Sequence, residues 1–152
     1  MNPIKDITAA IFSYFSKFPR NSFHPLVWVT GEPEIGENVY IGANSVLNCK
    51  GAKLVIESGC DIASFVSINC ADSHLQTIGA TTHVNRSDIF IGKNVFIGSH
   101  SVIKGGAHIS SNCVVAAGTI VDKGFIAPFS LVFGNPMQIK EGYYLNRIKS
   151  DD

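Results

Sequence analysis

The sequence has no excess of charge of either sign, because its 12 Lys and Arg residues balance its 12 Asp and Glu residues. It also lacks a run of basic residues, which is the electrostatic footprint of proteins that bind nucleic acid or an anionic membrane. We therefore expect no nucleic-acid partner and a small molecule as the ligand.

Long apolar runs are missing from the N-terminal region, where the longest is Ala9-Ala10-Ile11-Phe12. A membrane-spanning helix needs about 20 apolar residues in succession, and a secretory signal needs a charged leader ahead of its apolar stretch. The sequence therefore predicts no membrane span, no signal peptide and a cytoplasmic location.

Cysteine is sparse, and no two cysteines form a CxxC pair. A chain of 152 residues is long enough to bury a core as one domain without disulfide bonds. We therefore expect no metal site and four reduced, buried thiols, at Cys49, Cys60, Cys70 and Cys113.

A six-residue repeat dominates the second half of the chain. Every sixth position carries an aliphatic or small apolar residue, or Phe: Ile91, Ile97, Ile103, Ile109, Val115, Val121, Ala127, Phe133 and Ile139. A second register, mostly small or apolar, lies four residues further on: Val95, Ser101, Ala107, Cys113, Thr119, Phe125, Leu131 and Met137. Both registers are predicted to point inward. Residues that tolerate positive φ, such as Asn94 and Asn112, recur between them and indicate tight corners.

A period of six residues fits neither an α-helix nor the alternation of an ordinary strand. Three hexads instead close a triangular coil of about 18 residues, with parallel strands stacked about 4.8 Å apart. The same unit runs from Val29 to Leu47 and, after a slip of three residues, from Ile56 to Ile68. An antiparallel sandwich would need turn signals every 8–12 residues or so. The repeat is too regular for that, so we predict an all-β parallel β-helix of about five coils.

The ends of the chain read differently from the repeat. Apolar residues between 4 and 18 follow helical spacing, which predicts a short amphipathic helix over the open end of the first coil. The tail is polar and is expected to be a short helix or an extended arm. Within one domain, 1–152, we expect these parts: an N-terminal cap 1–26, first coils 27–73, a protruding loop 74–88, later coils 89–140 and a tail 141–152.

Three segments resemble a known family: Ile-Gly-Lys-Asn-Val-Phe-Ile-Gly-Ser (91–99), Val-Ala-Ala-Gly-Thr-Ile-Val-Asp-Lys (115–123) and Phe-Gly-Asn-Pro-Met (133–137). The chain is similar there to the hexapeptide-repeat acyltransferases, particularly the branch that O-acetylates sugars and bacterial surface polysaccharides. The resemblance spans residues 29–141 and implies a left-handed coil, a homotrimer, acetyl-CoA as donor and an active site between neighbouring subunits. Phe96 stands where the family commonly has Trp, and Gln138 where it has Lys or Arg.

The repeat breaks after residue 73, and the break holds the candidate catalytic residues. Continuing the register would point Asp72 into the apolar core, where an unpaired carboxylate is costly. The chain must therefore leave the coil there, or Asp72 must have a partner. The resemblance implies that His74 is the general base on the acceptor hydroxyl, a role that suits an imidazole because it titrates near neutral pH. Asp72 or a backbone carbonyl would fix its tautomer, and a backbone N–H would receive the oxyanion.

Two binding groups are expected, a donor group implied by the resemblance and an acceptor group inferred mainly from its place around the break in the repeat. The donor group lines the pantetheine groove or reaches a CoA phosphate: Ser99, Ala117, Gly118, Lys123 and Lys140. The acceptor group surrounds the break in the repeat or replaces the family Trp: Asn69, His83, Arg86 and Phe96. A structural role remains open for Asn69 and Arg86, and a plain corner role for Ala117 and Gly118.

A zinc hydratase on the same coil needs three His ligands, two of them five residues apart, but this spacing from His100 falls on Gly105. A non-catalytic binding module stays open, because a fold does not fix a function. N-acetylation of an amino sugar also stays open, since amine and hydroxyl need a similar base. The sequence does not identify the acceptor.

Overall fold

The computed structural model describes Ile7 and residues 21–147. The helix expected over residues 4–18 lies outside this part of the chain, apart from Ile7, and so does the end of the tail. Within it the chain winds into a parallel β-helix with three flat faces, here named A, B and C. This confirms the all-β coil and agrees with the left-handed form that the resemblance implies.

Each face is a sheet of short strands contributed by successive coils. Face A contains β1 Ser22–Phe23, β4 Tyr40–Ile41, β7 Asp61–Ile62, β12 Phe96–Ile97, β15 Val114–Val115, β18 Leu131–Phe133 and the antiparallel β19 Gln138–Lys140. Face B contains β2 Trp28–Thr30, β5 Val46–Asn48, β8 Ser67–Asn69, β13 Val102–Lys104 and β16 Ile120–Val121. Face C contains β3 Glu34–Ile35, β6 Leu54–Ile56, β11 Ile89–Ile91, β14 Ala107–Ile109 and β17 Gly124–Ile126.

The described residues form five complete coils and the first strand of a sixth. The coil begins at β1, which pairs with β4, so it starts before the expected boundary at residue 27. Asn94 and Asn112 adopt φ of 55° and 59°, as the corner positions require. No helix among the described residues is long and apolar enough to cross a bilayer.

Stacked aliphatic side chains fill the core. The first register is buried from Ile91 to Val121, as predicted. Polar members of the second register also point inward, and their hydroxyls are satisfied: Ser101 and Thr119 both donate to the Ala116 carbonyl, at 3.1 and 2.6 Å. The core therefore accepts these hydroxyls without leaving an unpaired polar group.

The predicted register is wrong beyond Val121. Ile126 and Val132 are buried there, whereas Phe125 is 67% exposed and Ile139 is 37% exposed. Ala127, Phe133, Leu131 and Met137 are only partly buried. The cause is a corner that is one residue short between β16 and β17, and Gly124, the first residue of β17, adopts a φ of +137°. Such a conformation is rarely open to residues with a side chain.

The longer break in the repeat is a hairpin that leaves the coil after β8. Its strands, β9 Ala71–Asp72 and β10 Asn85–Arg86, pair in an antiparallel arrangement, and α1 His74–Thr77 follows β9. The Asp72 side chain is 50% exposed, which confirms that the chain leaves the lattice at this point. The hairpin stem begins at Ala71, just ahead of the expected loop 74–88.

The described part of the tail, residues 141–147, forms successive turns. The Tyr144 N–H donates to the Phe129 carbonyl at 2.9 Å and holds the tail against the last coil. All four cysteines are buried and unpaired, as expected.

Candidate active site

A cavity of about 880 Å³ lies between face B and the hairpin. Its floor includes the outward side chains of Ser67, Val102 and Ile120, which stack on adjacent strands. The polar residues in its wall include Asn69, Asp72, His74, Asn85, Ser87, Lys104, Asp122 and Lys123. Of the acceptor and catalytic residues inferred from the sequence, the structure brings Asn69, Asp72 and His74 together here.

The Asp72 carboxylate holds both the backbone and the ring of His74. Its Oδ1 atom lies 2.5 Å from His74 Nδ1 and accepts the His74 backbone N–H at 3.1 Å. The hydrogen bonds from the His74 ring and then from its backbone lower the pKa of Asp72. Asp72 is thus an ionised acceptor at neutral pH.

This contact determines what His74 can do. When Nδ1 donates to the carboxylate, Nε2 is the nitrogen that can accept a proton. The His74 and Asp72 side chains are 63% and 50% exposed, so a ligand in the cavity can reach them. The first turn of α1 fixes the position of His74, because both the N–H and the hydroxyl of Thr77 donate to the Ser73 carbonyl.

Asn69 lines the cavity and also shapes the exit of the hairpin. Its Oδ1 atom accepts the Ala71 N–H at 3.0 Å and the Asn48 side-chain amide at 3.2 Å. The side chain therefore bonds to the backbone just before β9, and its structural role is evident.

An ion pair on face B was not recognised from the sequence. Lys104 Nζ lies 2.5 Å from Asp122 Oδ1, and both residues line the cavity. The hydrogen bond and the charge of Asp122 raise the pKa of Lys104. A signal was available, because Asn69, Lys104 and Asp122 each directly follow an inward residue of the repeat, at the strand ends beside the hairpin.

Three expected acceptor residues lie outside the cavity lining. His83 is an exposed loop residue whose carbonyl accepts the Thr81 hydroxyl. Arg86 donates from its guanidinium to the Lys50 carbonyl and lies over Gly51, so it ties β10 to the coil. Phe96 lies on face A and is 41% exposed.

The expected donor residues occupy three places within one chain. Ser99, Ala117 and Gly118 share the corner between faces A and B, where the Ser99 carbonyl accepts the Gly118 N–H at 2.9 Å. Lys123 lies in the cavity, and Lys140 lies on β19 with its ammonium 5.3 Å from the Phe133 ring centroid.

Position 118 favours glycine because of its backbone conformation and not because a side chain would collide with a neighbour. Its φ is +71°, and a Cβ there would meet nothing within 4 Å. The corner is thus open on its outer side, with Ala117 also exposed. It therefore has room for an extended ligand to pass close to the backbone.

Cys70 reaches the cavity but has little nucleophilic character. Burial raises the pKa of its thiol to about 11, as it does for Cys60. At neutral pH Cys70 stays protonated. Nowhere in the described part of the chain do three His, Cys, Asp or Glu side chains group in a way that could hold a metal ion.

Comparison with known proteins links this coil to a repeat family. The family model described as "Hexapeptide repeat of succinyl-transferase" matches residues 34–69 and 89–123. Among curated proteins, the carnitine operon protein CaiE of Escherichia coli K12 is 28% identical over 111 residues. That match covers 70% of this chain and 57% of the CaiE protein, so the chain spans little more than half the length of this relative.

Solved structures share the same coil. A maltose O-acetyltransferase from Clostridium difficile 630 superposes with a TM-score of 0.57 at 26% identity, covering 75% of this chain and 65% of that one. AntD, an N-acyltransferase from Bacillus cereus in complex with dTDP and 3-hydroxybutyryl-CoA, superposes with a TM-score of 0.70 at 19% identity. The AntD alignment covers 86% of this chain and 78% of that one, and it shows a shared fold.

Proposed function

This chain is a hexapeptide-repeat protein of the parallel β-helix class, and we propose that it transfers the acetyl group of acetyl-CoA to a hydroxyl of a sugar or bacterial surface polysaccharide. The observation that carries the proposal is the His74–Asp72 contact at the edge of an open, polar cavity. The similarity to a maltose O-acetyltransferase supports the same reaction class.

In the proposed reaction His74 works as a general base through Nε2. It accepts the proton of the acceptor hydroxyl while that oxygen attacks the carbonyl carbon of the thioester. The new C–O bond replaces the C–S bond, and His74 returns the proton to the departing CoA sulfur. A positioned base of this kind contributes a factor of about 10²–10⁴ in rate.

Asp72 assists without touching the acceptor. Its carboxylate accepts Nδ1–H, so the ring keeps the tautomer in which Nε2 is free to take a proton. The negative charge also stabilises the imidazolium that forms during transfer. The thioester is already activated, which makes a covalent intermediate on the enzyme unnecessary, and the protonated thiol of Cys70 fits that view.

The donor would lie along the corner formed by Ser99, Ala117 and Gly118, where the backbone is exposed and open. Lys123 and Lys140 are the proposed cationic contacts to it. Since these residues occupy separate places in one subunit, the proposal includes a homotrimer in which a neighbouring copy completes the groove. The proposed location is the cytoplasm, as expected from the sequence.

Acceptor chemistry is tested with acetyl-CoA, thiol-release detection and a panel of sugars that carry hydroxyl or amino groups. After the product is separated from acetyl-CoA, alkaline hydroxylamine cleaves an ester, whereas an amide resists it. An ester product from a sugar hydroxyl supports the proposal. Exclusive amide formation would make the protein an N-acetyltransferase. If none of the sugars in the panel causes thiol release, the proposed acetyl transfer is wrong.

A further inference from the structure

We propose that Asp122, positioned by Lys104, is an acceptor-binding residue that makes the cavity selective for a neutral carbohydrate. This inference rests on the proposed function and adds to it the charge class of the acceptor. It concerns residues that lie outside the His74–Asp72 pair and on the opposite side of the cavity, on face B.

The position of the pair follows from the register of face B. Lys104 pairs with Asn69 on the neighbouring strand, and Asp122 directly follows β16 in the next coil. Asn69, Lys104 and Asp122 therefore form a polar column along the strand ends that border the hairpin. The apolar column of Val102 and Ile120 runs beside it and forms the floor of the cavity.

Charge connects this column to the catalytic pair. The pKa of Asp72, lowered chiefly by the hydrogen bonds from His74, is lowered further by the Lys104 ammonium. Lys104 thus interacts with a carboxylate on each side of it, Asp122 by direct contact and Asp72 through space. Lys104 and His74 line the same cavity, so an acceptor whose hydroxyl reaches His74 occupies the cavity that this lysine lines.

The charges of Lys104 and Asp122 balance within their pair. Asp72 is held by His74, and Lys123 is the proposed cationic contact to the donor. A neutral sugar offers hydroxyls that can donate to a carboxylate and accept from an ammonium, and it leaves this balance intact. A charged sugar would add an unmatched charge beside one member of the pair.

Stability does not account for the pair. The Lys104 and Asp122 side chains are 48% and 49% exposed, and exposed ion pairs add little to folding. Lys53 and Glu34 form a similar pair on face C, with an N–O distance of 3.1 Å and exposures of 58% and 64%. That second pair lies outside the cavity and serves as a matched control.

The test uses the full-length protein with acetyl-CoA and a neutral methyl hexoside as acceptor. A methyl hexuronide and a methyl aminohexoside serve as competing anionic and cationic analogues. The variants are D122N, K104M and K104R, with E34Q and K53M as controls. The readouts are acceptor KM, kcat, the two inhibition constants, the melting temperature and CoA affinity.

We expect D122N and K104M to raise the acceptor KM about tenfold, because each removes a charge-assisted hydrogen bond, while CoA affinity stays unchanged. Their selectivity should shift in opposite directions: D122N should favour the hexuronide over the aminohexoside, and K104M the reverse. K104R should keep the wild-type preference. A merely structural pair would not give opposite shifts.

Unchanged acceptor KM and unchanged selectivity in D122N and K104M, with an active wild type, would overturn this inference and leave the proposed function intact. The same shifts in E34Q and K53M would also overturn it. A wild type that transfers no acetyl group to any sugar would instead overturn the proposed function, and this inference with it.

Discussion

The Oδ1 atom of Asp72 lies 2.5 Å from the Nδ1 atom of His74 and also accepts the His74 backbone N–H at 3.1 Å. One carboxylate oxygen thus fixes both the ring and the main chain of the same residue. The two residues are separated only by Ser73, at the point where the chain leaves the coil. The repeat places this dyad, because its interruption determines where the hairpin begins.

The Asp72 contact makes a small contribution to stability that depends on pH. Its pKa is lower in the folded state, through the hydrogen bonds from His74, than the ordinary value of 3.8. The stabilisation is therefore fully present above about pH 4 and is lost as the pH falls through the folded-state pKa. We expect D72N to be less stable than wild type near neutral pH and to match it in acid. Urea unfolding at a series of pH values measures this, and a difference independent of pH would contradict it.

The slipped register at the end of the coil predicts unequal effects at two adjacent residues. Ile126→Ala should cost about 2–5 kcal/mol, because it removes a buried side chain. Phe125→Ala should cost about 1 kcal/mol or less, because Phe125 is 67% exposed and contacts the His108 ring from outside. Chemical unfolding of both variants compares them. A larger loss of unfolding free energy for Phe125→Ala would contradict the change of register and favour an unbroken six-residue repeat.

The repeat itself could be predicted from sequence, because the six-residue spacing of apolar residues such as Ile97 and Ile103 indicates that they are buried. The change of register after Val121 could not be predicted, because Ala127 and Phe133 are apolar and occupy the positions that an unbroken six-residue repeat would place in the core. The interrupted spacing predicts a break where the hairpin lies. It does not predict the antiparallel pairing of Asp72 with Asn85, because hexad spacing carries no information on that pairing.

The sequence indicates which residues lie together where their spacing along the chain is short, but not where the coil brings distant residues together. Asp72 and His74 are two positions apart. Lys104 and Asp122 are 18 residues apart and meet because adjacent coils stack them. An outward Lys or Asp in a repeat looks like an ordinary solvent-exposed charge until the register of face B is known.

Two corner glycines have different physical requirements, which predicts different costs of an added methyl group. At Gly118 the φ of +71° is the obstacle and the space is open, so Gly118→Ala should cost about 1–2 kcal/mol. At Gly98 a Cβ would lie 2.5 Å from the Ala117 backbone nitrogen, so Gly98→Ala must move the neighbouring coil. The free energy of unfolding should therefore fall further for Gly98→Ala. Equal losses would contradict this reading of the corner.

The buried thiols should resist alkylation while the protein is folded. Burial raises the pKa of Cys60 and Cys70 to about 11, and the thiolate is the reactive form. Iodoacetamide at about pH 8 should leave both unlabelled in the native protein and label both in denaturant. Mass spectrometry of the digested protein gives the site occupancy, and rapid native labelling of Cys70 would show that the cavity holds a reactive thiol.

The role of His74 as general base is tested most directly by His74→Asn, with His108→Asn on face C as the matched control. Under conditions where chemistry limits turnover, kcat should fall by about 10²–10⁴, while the melting temperature and CoA affinity stay close to wild type. His108→Asn should keep wild-type kcat. If His74→Asn retains more than about a tenth of the activity, His74 is not the general base.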